Sequence, residues 1–540
     1  MAENILVCTA WPYVNGSLHV GHLAGVYVPA DTFARFHRLK GNNVLMVSGS
    51  DEHGTPITVR ADQEGVSPKV VADRFHDEFL GYWRDLGISY DLYTRTGTEV
   101  HRRVVQAQFL DMLEHGYLFQ KTVESFYDEE AKRFLPDRYV EGTCPHCGFE
   151  KARGDQCDNC GKLLDPDQLI NPRSRFSGAT PVLRETSHFF FDLPKLNDRL
   201  IEWAKPKTYW RQNAYRFTLN FLEGGLQPRA ITRDLEWGVP IPLDGFDDRR
   251  IYVWYEAVTG YLSASVEWAE RAGTPAAWEA WWKDESTRQY YFIGKDNIPF
   301  HTVIWPAILM ARGDTILPYD VPSNEYMNFG GAKASKSAGI GTTVPDLLAT
   351  FDPDPIRYYL TANAPENSDS DYSGDELIRR SNDELVATWG NLAHRTLTFT
   401  QRYFDGRVPG DGSTDPVVAE RIEQTFATVT ASLEAARFKE TIREVMALAQ
   451  FGNRYFDEHA PWKQVKVDHA ATGQTIGTLI NLLNALKVLF APFLPFSSAR
   501  LHALLGFEDA LEAHGWGARP VPAGQPLPKP TPLFTKIETA

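Results

Sequence analysis

The chain has 540 residues, 43% apolar and 23% charged, an ordinary globular composition too long for one compact core. Its net charge of −15 excludes a protein that coats nucleic acid non-specifically, because phosphate neutralisation needs clustered Lys and Arg. Five cysteines are too few for a secreted disulfide scaffold and no basic-then-apolar leader is found, so a reducing, cytoplasmic setting is expected.

Residues 4–9 form a short apolar run that reads as a buried strand, followed by Trp11-Pro12-Tyr13, the turn Asn15-Gly16 and an amphipathic helix through about Leu39. A second apolar run, Val44–Val47, leads into the polar turn Ser50-Asp51-Glu52-His53-Gly54. A third unit comes much later: Tyr290–Ile293 is strand-like, Gly294-Lys295-Asp296 turns, and Phe300–Ala311 reads as a helix. Strand–loop–helix–strand order predicts an α/β core with a parallel sheet and ligands at the carboxyl ends of its strands. The sheet is split by an insertion over roughly 117–232. From about Asp375 helical apolar spacing takes over through Leu505, which predicts a bundle over 376–500. Its most apolar window, Ile476–Phe496, holds Asn481, Asn484, Lys487, Pro492 and Pro495, so a buried helix ending near the first proline is expected rather than a membrane span. Six prolines between Pro520 and Pro532 rule out a helix or central strand there and predict a surface wrap.

Charge divides unevenly. Residues 376–540 hold 17 Lys and Arg against 18 Asp and Glu, a net of −1; the remaining 38 against 52 give the first 375 residues −14. Any polyanion contact is therefore expected to involve the bundle.

The sharpest metal signal is Cys144-x2-Cys147-x9-Cys157-x2-Cys160. Two tight Cys-x-x-Cys knuckles can complete a tetrahedral sulfur shell, which suits one structural zinc ion. Gly148 and Gly161 follow the second cysteine of each knuckle and suit a positive φ. Cys8 reads as core. The first loop–helix junction carries His19-Val20-Gly21-His22: the helix start aims free N–H groups at an anion, the two histidines share one face, and Gly21 lets a flat ring approach. Alone, this pattern is equally an ordinary polar cap. A distant segment, Gly330-Gly331-Ala332-Lys333-Ala334-Ser335-Lys336-Ser337-Ala338-Gly339, carries two ammonium groups among small residues. Lysines on a loop that closes suit a polyphosphate neutralised only during reaction, although alone it is equally a solvated loop.

Together and in this chain order, these motifs resemble the class I aminoacyl-tRNA synthetases, in the methionyl branch of the family. His19–His22 is similar to the HIGH signature and Lys333–Ser337 to the KMSKS loop, with Ala334 standing where Met is usual. The resemblance covers nearly the whole chain: Ser50–Pro56, the four-cysteine insertion, Val253–Ala257, Phe292–Asp296, Asn391–Arg395 and Ala460–Lys463. It implies a Rossmann-like parallel-sheet catalytic core in two halves (1–116 and 233–325), a connective insertion with the zinc knuckle (117–232), a lysine-loop stem-contact region (326–375) and a helical anticodon-binding domain with a C-terminal wrap (376–540).

The resemblance also implies roles. Methionine would be held by Trp11, Tyr13, Asp51, Trp254, Ala257, Tyr261 and His301, with Asp51 facing the ammonium and aromatic rings enclosing the thioether. ATP, with Mg²⁺, would touch His19, Gly21, His22, Gly294, Asp296, Lys333 and Lys336, of which His19, His22, Lys333 and Lys336 are the catalytic set. Asn391, Arg395 and Trp462 would read the CAU anticodon of tRNA(Met), initiator included, by stacking and edge hydrogen bonds. Synthetases for leucine, valine, isoleucine or cysteine, and a non-catalytic tRNA-binding paralogue, are the competing readings. The branched-chain enzymes need more length for an editing insertion, the cysteine enzyme places its zinc ligands in the active site, and a paralogue would be expected to lose the histidines or lysines. A monomer is expected, because no length remains for an appended dimerisation domain.

Overall fold

The computed structural model describes residues 2–136, 139–154, 157, 159–160, 162, 164, 166–330, 341–538 and the backbone of 332–333. Five strands form a sheet in the order β5-β4-β1-β2-β3, every pair parallel: β1 is Asn4–Thr9, β2 Asn43–Ser50, β3 Leu92–Arg95, β4 Arg288–Gly294 and β5 Ser323–Asn324. Helices cover both faces, so the central strands read as continuous apolar runs: Ile5, Leu6, Val7 and Cys8 are all fully buried. The α/β expectation holds, and Cys8 is core. Strand order reverses between β1 and β4, where Ala10 N donates to Phe292 O at 3.0 Å. A crevice at the carboxyl ends of these strands is where such sheets take ligands.

After β1 the chain enters α1 (Val20–His22), passes through a π-helical turn at Leu23–Tyr27 and continues as α2 (Val28–Leu39). The insertion leaves after the helix Glu99–Glu114. Its frame is the antiparallel pair Leu118–Asp128 and Val182–Phe191, in register from Leu118↔Phe191 to Tyr127↔Val182. The knuckle stands on a small sheet of Val140–Thr143, Ala152–Arg153 and Ile170–Ser174, where Tyr139 stacks on Phe176 at 4.1 Å.

The chain returns through α3 (Val253–Arg271), β4 and β5, then α4 (Pro353–Ala362). The bundle comprises α5 (Asn391–Tyr403), α6 (Pro416–Glu434), α7 (Phe438–His459), α8 (His469–Phe490) and α9 (Pro495–Leu504). Helix α8 is its axis, buried from Thr475 through Phe490. The polar residues in this apolar window find partners inside: Asn481 donates to Thr414 Oγ1 at 2.9 Å, the Asn484 amide N–H to Arg519 O at 2.6 Å, and Lys487 meets His502 Nδ1 at 2.8 Å. Among the described residues no helix is long and apolar enough to cross a membrane.

The proline-rich tail forms the expected wrap. Val408 N donates to Gln525 O at 3.0 Å and Leu527 N to Gly406 O at 2.7 Å. Just before it, Trp516 packs edge-on against Phe36 of α2, ring centroids 4.9 Å apart. A fully buried ion pair ties bundle to sheet: Arg357 Nη2 on α4 meets Asp31 Oδ2 on α2 at 2.7 Å, and the same guanidinium donates to the carbonyls of Leu86, Pro492 and Phe493.

Candidate active site

The loops leaving β1 and β2 are stitched to each other. Asp51 N donates to Pro12 O at 2.9 Å and Val14 N to Asp51 O at 3.2 Å, a one-residue parallel bridge between Tyr13 and Asp51. This fixes Trp11, Tyr13 and Asp51 as one rim. Trp11 lies in a slot that only glycines leave open: a Cβ at Gly49 would sit 2.5 Å from its ring, and one at Gly260 2.8 Å. The indole meets Tyr261 edge-on at 6.4 Å and His101 at 6.1 Å.

Helix α3 supplies the opposite wall. Trp254 stands edge-on to Tyr13 at 6.2 Å and stacks on Phe300 at 3.9 Å and 11°. Ala257 is one helical step from Trp254 and keeps that wall shallow. Tyr261, one turn further, meets His301 Nε2 through its hydroxyl at 2.7 Å. His301 Nδ1 lies 2.9 Å from Asn297 O, so Nδ1 carries the proton and Nε2 accepts from Tyr261. Burial pushes the His301 imidazole down to about 4, which keeps this tip neutral at physiological pH. Of the residues expected to hold methionine, Trp11 thus meets Tyr261, Tyr261 meets His301, Tyr13 meets Trp254, and Asp51 is bridged to Tyr13. Burial, and then the nearby Glu256, push the Asp51 carboxyl well above its ordinary range.

The chain flanking the lysine loop comes to the histidine turn. His19 caps α1 and its ring lies 3.8 Å from that of His22, centroid to centroid, with His19 N donating to His22 Nδ1 at 3.2 Å. A Cβ at Gly21 would press on the His19 ring at 3.1 Å and on Met327 O at 3.3 Å, so a side chain there would force both apart. The segment just beyond the lysine loop pairs with this turn: Val20 N donates to Thr342 O at 3.1 Å, and Val344 N to Leu18 O at 2.8 Å. Before the loop, Ala332–Lys333 pairs antiparallel with Met327–Phe329, whose Met327 is the Gly21 neighbour. Lys336 and Ala334 lie outside the described residues, as does the Lys333 side chain. Gly294 ends β4 and Asp296 opens the following turn, with Asp296 Oδ1 3.0 Å from where a Gly294 Cβ would stand.

The four cysteines form a separate cluster, their sulfurs all within 4.8 Å of one another. Cys144 and Cys160 are 3.9 Å apart, and Cys147 and Cys157 3.6 Å. A tetrahedral ion with bonds of about 2.3 Å requires sulfur separations of about 3.8 Å, so these residues fit a closed four-thiolate metal site. Gly148 has the expected positive φ of 73°; Gly161 lies outside the described residues. The knuckle docks on the first catalytic half through Tyr139, whose hydroxyl meets Thr58 Oγ1 at 2.9 Å.

In the bundle, the Arg395 guanidinium lies over the Phe456 ring at 4.0 Å, anchored by Asp457 Oδ1 at 2.9 Å and by Asn453 O. Trp462 stacks on the same Phe456 at 6.0 Å and 21° and is 43% exposed, a ring offered to solvent. Asn391 opens α5 and is exposed. Phe456, the platform shared by Arg395 and Trp462, was not picked out from the sequence; its signal was the ordinary helical spacing of α7.

A Rossmann-like sheet bearing a His-Val-Gly-His helix start, with the chain just beyond the lysine loop paired to it, defines a class I aminoacyl-tRNA synthetase. The family described as class I tRNA synthetases (M) matches residues 5–397, and the anticodon-binding domain of methionyl tRNA ligase matches residues 408–540. The chain is 50% identical to the methionine–tRNA ligase of Thermomicrobium roseum over all of this chain and 97% of that protein, and 53% identical to that of Dehalococcoides mccartyi strain BAV1 over 100% and 98%. Among solved structures it is similar to the Mycobacterium tuberculosis methionyl-tRNA synthetase bound by methionyl-adenylate, with a TM-score of 0.81 and 25% identity over 99% of this chain and 100% of that one. The chain belongs to the methionine–tRNA ligases.

Proposed function

We propose that this chain performs its ligase reaction with the residue roles that follow. The observation that carries them is the pairing of Thr342 and Val344 with Val20 and Leu18, which sets the chain just beyond the two-lysine loop beside the histidine turn. Methionine lies with its thioether among Trp254, Ala257, Tyr261 and His301, and its ammonium against Asp51, beside Trp11 and Tyr13. ATP lies across His19, Gly21 and His22, with Gly294 and Asp296 at the nucleoside and Lys333 and Lys336 at the phosphates.

In the first step a methionine carboxylate oxygen forms a bond to the α-phosphorus while the bond from that phosphorus to the bridging oxygen breaks, releasing pyrophosphate. A carboxylate is already nucleophilic, so no general base is needed. The chain's contribution is alignment together with donors placed where charge develops: the imidazoles at the helix start and the lysines. Mg²⁺, when bound with ATP, would screen its phosphates. In the second step the terminal ribose 2′-hydroxyl of tRNA(Met) attacks the aminoacyl carbonyl and AMP leaves. Asn391, Arg395 and Trp462 read unstacked anticodon bases, with Trp462 and Phe456 as a stacking platform. Zinc in the four-cysteine knuckle holds the insertion's shape and takes no part in either step.

The test is ATP–pyrophosphate exchange with each amino acid in turn. Exchange dependent on methionine supports the pocket; exchange with leucine instead, or with none, rejects it. Some leakage of the homologue one methylene shorter is expected, since a methylene is worth only about 1–3 kcal/mol.

A further inference from the structure

Beside the Asp51 carboxylate lies a second buried carboxylate to which the roles above give no task. Glu256, on α3 between Trp254 and Ala257, is fully buried, and its Oε2 has no hydrogen-bond partner among the described residues. Its Oε1 lies 2.6 Å from His53 Nδ1. His53 in turn donates its backbone N–H to Asp51 Oδ1 at 3.2 Å, and its ring stands edge-on to Trp237 at 5.6 Å. Trp237 Nε1 donates to Glu52 O, closing the loop against the second catalytic half.

Two unbalanced carboxylates in one dry pocket would be costly, and one would take up a proton. The other charges facing the site do not relieve this. Glu52 is paired with Arg95, which also holds Asp73 at 2.6 Å, and His101 is neutral, pushed down to about 3 by burial and by the nearby His53. Burial and Glu256 raise the Asp51 carboxyl, and the ring and backbone N–H of His53 both work to lower it: His53, in contact with Glu256 and bonded to Asp51, supplies a positive charge. Burial works against its protonation, but Glu256, Asp51 and Glu52 outweigh burial and raise its pKa above the ordinary value.

We propose that His53 and Glu256 are positioning residues of the amino-acid site: the imidazolium held by Glu256 leaves the Asp51–His53–Glu256 triad with one net negative charge, presented on Asp51 to the substrate ammonium. This rests on the reading of Asp51 as the ammonium partner. The arithmetic is −1 for Asp51, −1 for Glu256 and +1 for His53, which matches a single ammonium. Either carboxylate alone with His53 would present no net charge.

The test is the KM for methionine in ATP–pyrophosphate exchange between pH 6.0 and 8.5, set against kcat. In the native enzyme KM stays flat within about twofold. In His53→Gln two buried carboxylates compete for one proton, so KM at pH 6.0 is about tenfold or more above its value at pH 8.5, while kcat shows no such limb. In the double variant His53→Gln with Glu256→Gln the flat profile returns, because the triad again carries one net negative charge, on Asp51. A pH-independent loss in His53→Gln, or a double variant worse than either single one, overturns the proposal and leaves a structural role. If His53→Gln does not fold, Glu256→Gln alone decides: its KM rises as pH falls and the freed imidazolium cancels Asp51, whereas a flat profile overturns the proposal. Asp51→Asn separates the two readings. A native KM there rejects Asp51 as the ammonium partner; a raised KM at every pH keeps that reading, whatever the His53 variants show.

Discussion

Replacing Arg357 with Met would test what joins the helical bundle to the nucleotide-binding sheet. The guanidinium is fully buried and satisfies four groups: Asp31 Oδ2 at 2.7 Å, Phe493 O at 2.8 Å, Pro492 O at 3.0 Å and Leu86 O at 3.2 Å. Met fills much of the volume and donates nothing, so three carbonyls and a carboxylate each lose a donor. Breaking one side of a buried ion pair costs about 3–5 kcal/mol, chiefly because a charge is left without its partner. Asp31 keeps Arg35 Nε at 2.9 Å and Ser89 N at 2.7 Å, which places the expected loss at the lower end, about 3 kcal/mol. The Asp31 carboxyl supplies an independent measure. Burial pushes it up, but Arg35, Arg357 and Ser89 outweigh burial and hold it at about 2, below its ordinary 3.8. A lowered carboxyl stabilises the fold above its unfolded value, and that stabilisation, about 2 kcal/mol, drains away as pH falls from about 4 towards 2. Arg357→Met should remove most of this acid dependence as well as lowering the urea midpoint at pH 7. Adding Asp31→Asn removes the stranded charge, so the double variant should recover at least about 1 kcal/mol over Arg357→Met. Methionine-dependent exchange should survive better than tRNA charging, since the ion pair spans the two parts rather than the pocket. A double variant no more stable than the single one, or a single variant within about 1 kcal/mol of native, refutes the reasoning.

Four further outcomes are expected. Cys157→Ser should abolish binding of the one zinc ion per chain, read by metal analysis of the purified protein, and loosen the insertion while the five-stranded sheet stays folded. Lys336→Ala should depress adenylate formation by about 100-fold or more, as loss of a transition-state donor does, with methionine affinity unchanged by equilibrium titration. Trp462→Ala should lower kcat/KM for tRNA charging by about tenfold or more, as loss of one stacked base does, and leave exchange untouched. Tyr261→Phe should raise the methionine KM severalfold and free the His301 ring from its hydroxyl partner, with no change in the KM for ATP.

How far the sequence carries the fold depends on whether a feature is local. The first two and the fourth strands were legible because apolar runs such as Ile5–Cys8 and Tyr290–Ile293 are covered on both faces. The strand at Leu92–Arg95 escaped notice: its four residues alternate buried and half-buried at the sheet edge, so no apolar run marks it. The turns of π-helix at Leu23–Tyr27 and Phe300–Ile304 are likewise invisible to a 3.6-residue pattern. At the site, motif spacing picked out residue types, and the structure supplies what spacing cannot, the partners. The His53–Glu256 pair joins positions 203 residues apart, and Arg357–Asp31 joins positions 326 apart. Neither leaves a local periodicity to read. Each histidine, arginine or carboxylate, taken singly, is as ordinary as any surface residue until its burial is known.

The charge asymmetry of the chain acquires a physical sense in the same terms. An acidic half with net charge −14 and a bundle with −1 give little general attraction for a polyanion, so affinity for tRNA has to come from placed groups. Arg395 shows how one is placed. Asp457 and the Asn453 carbonyl fix its guanidinium over the Phe456 ring, and that ring in turn backs Trp462, so cation, stacking surface and exposed indole are ordered before any nucleotide arrives. Preorganisation of this kind lowers the entropy lost on binding and favours unstacked bases over a continuous duplex backbone. A bundle with a surplus of free lysines would bind any RNA. On the proposed reading, a nearly neutral one with a few clamped groups binds only where single-stranded bases meet those groups, which is the selectivity that charging one tRNA among many requires.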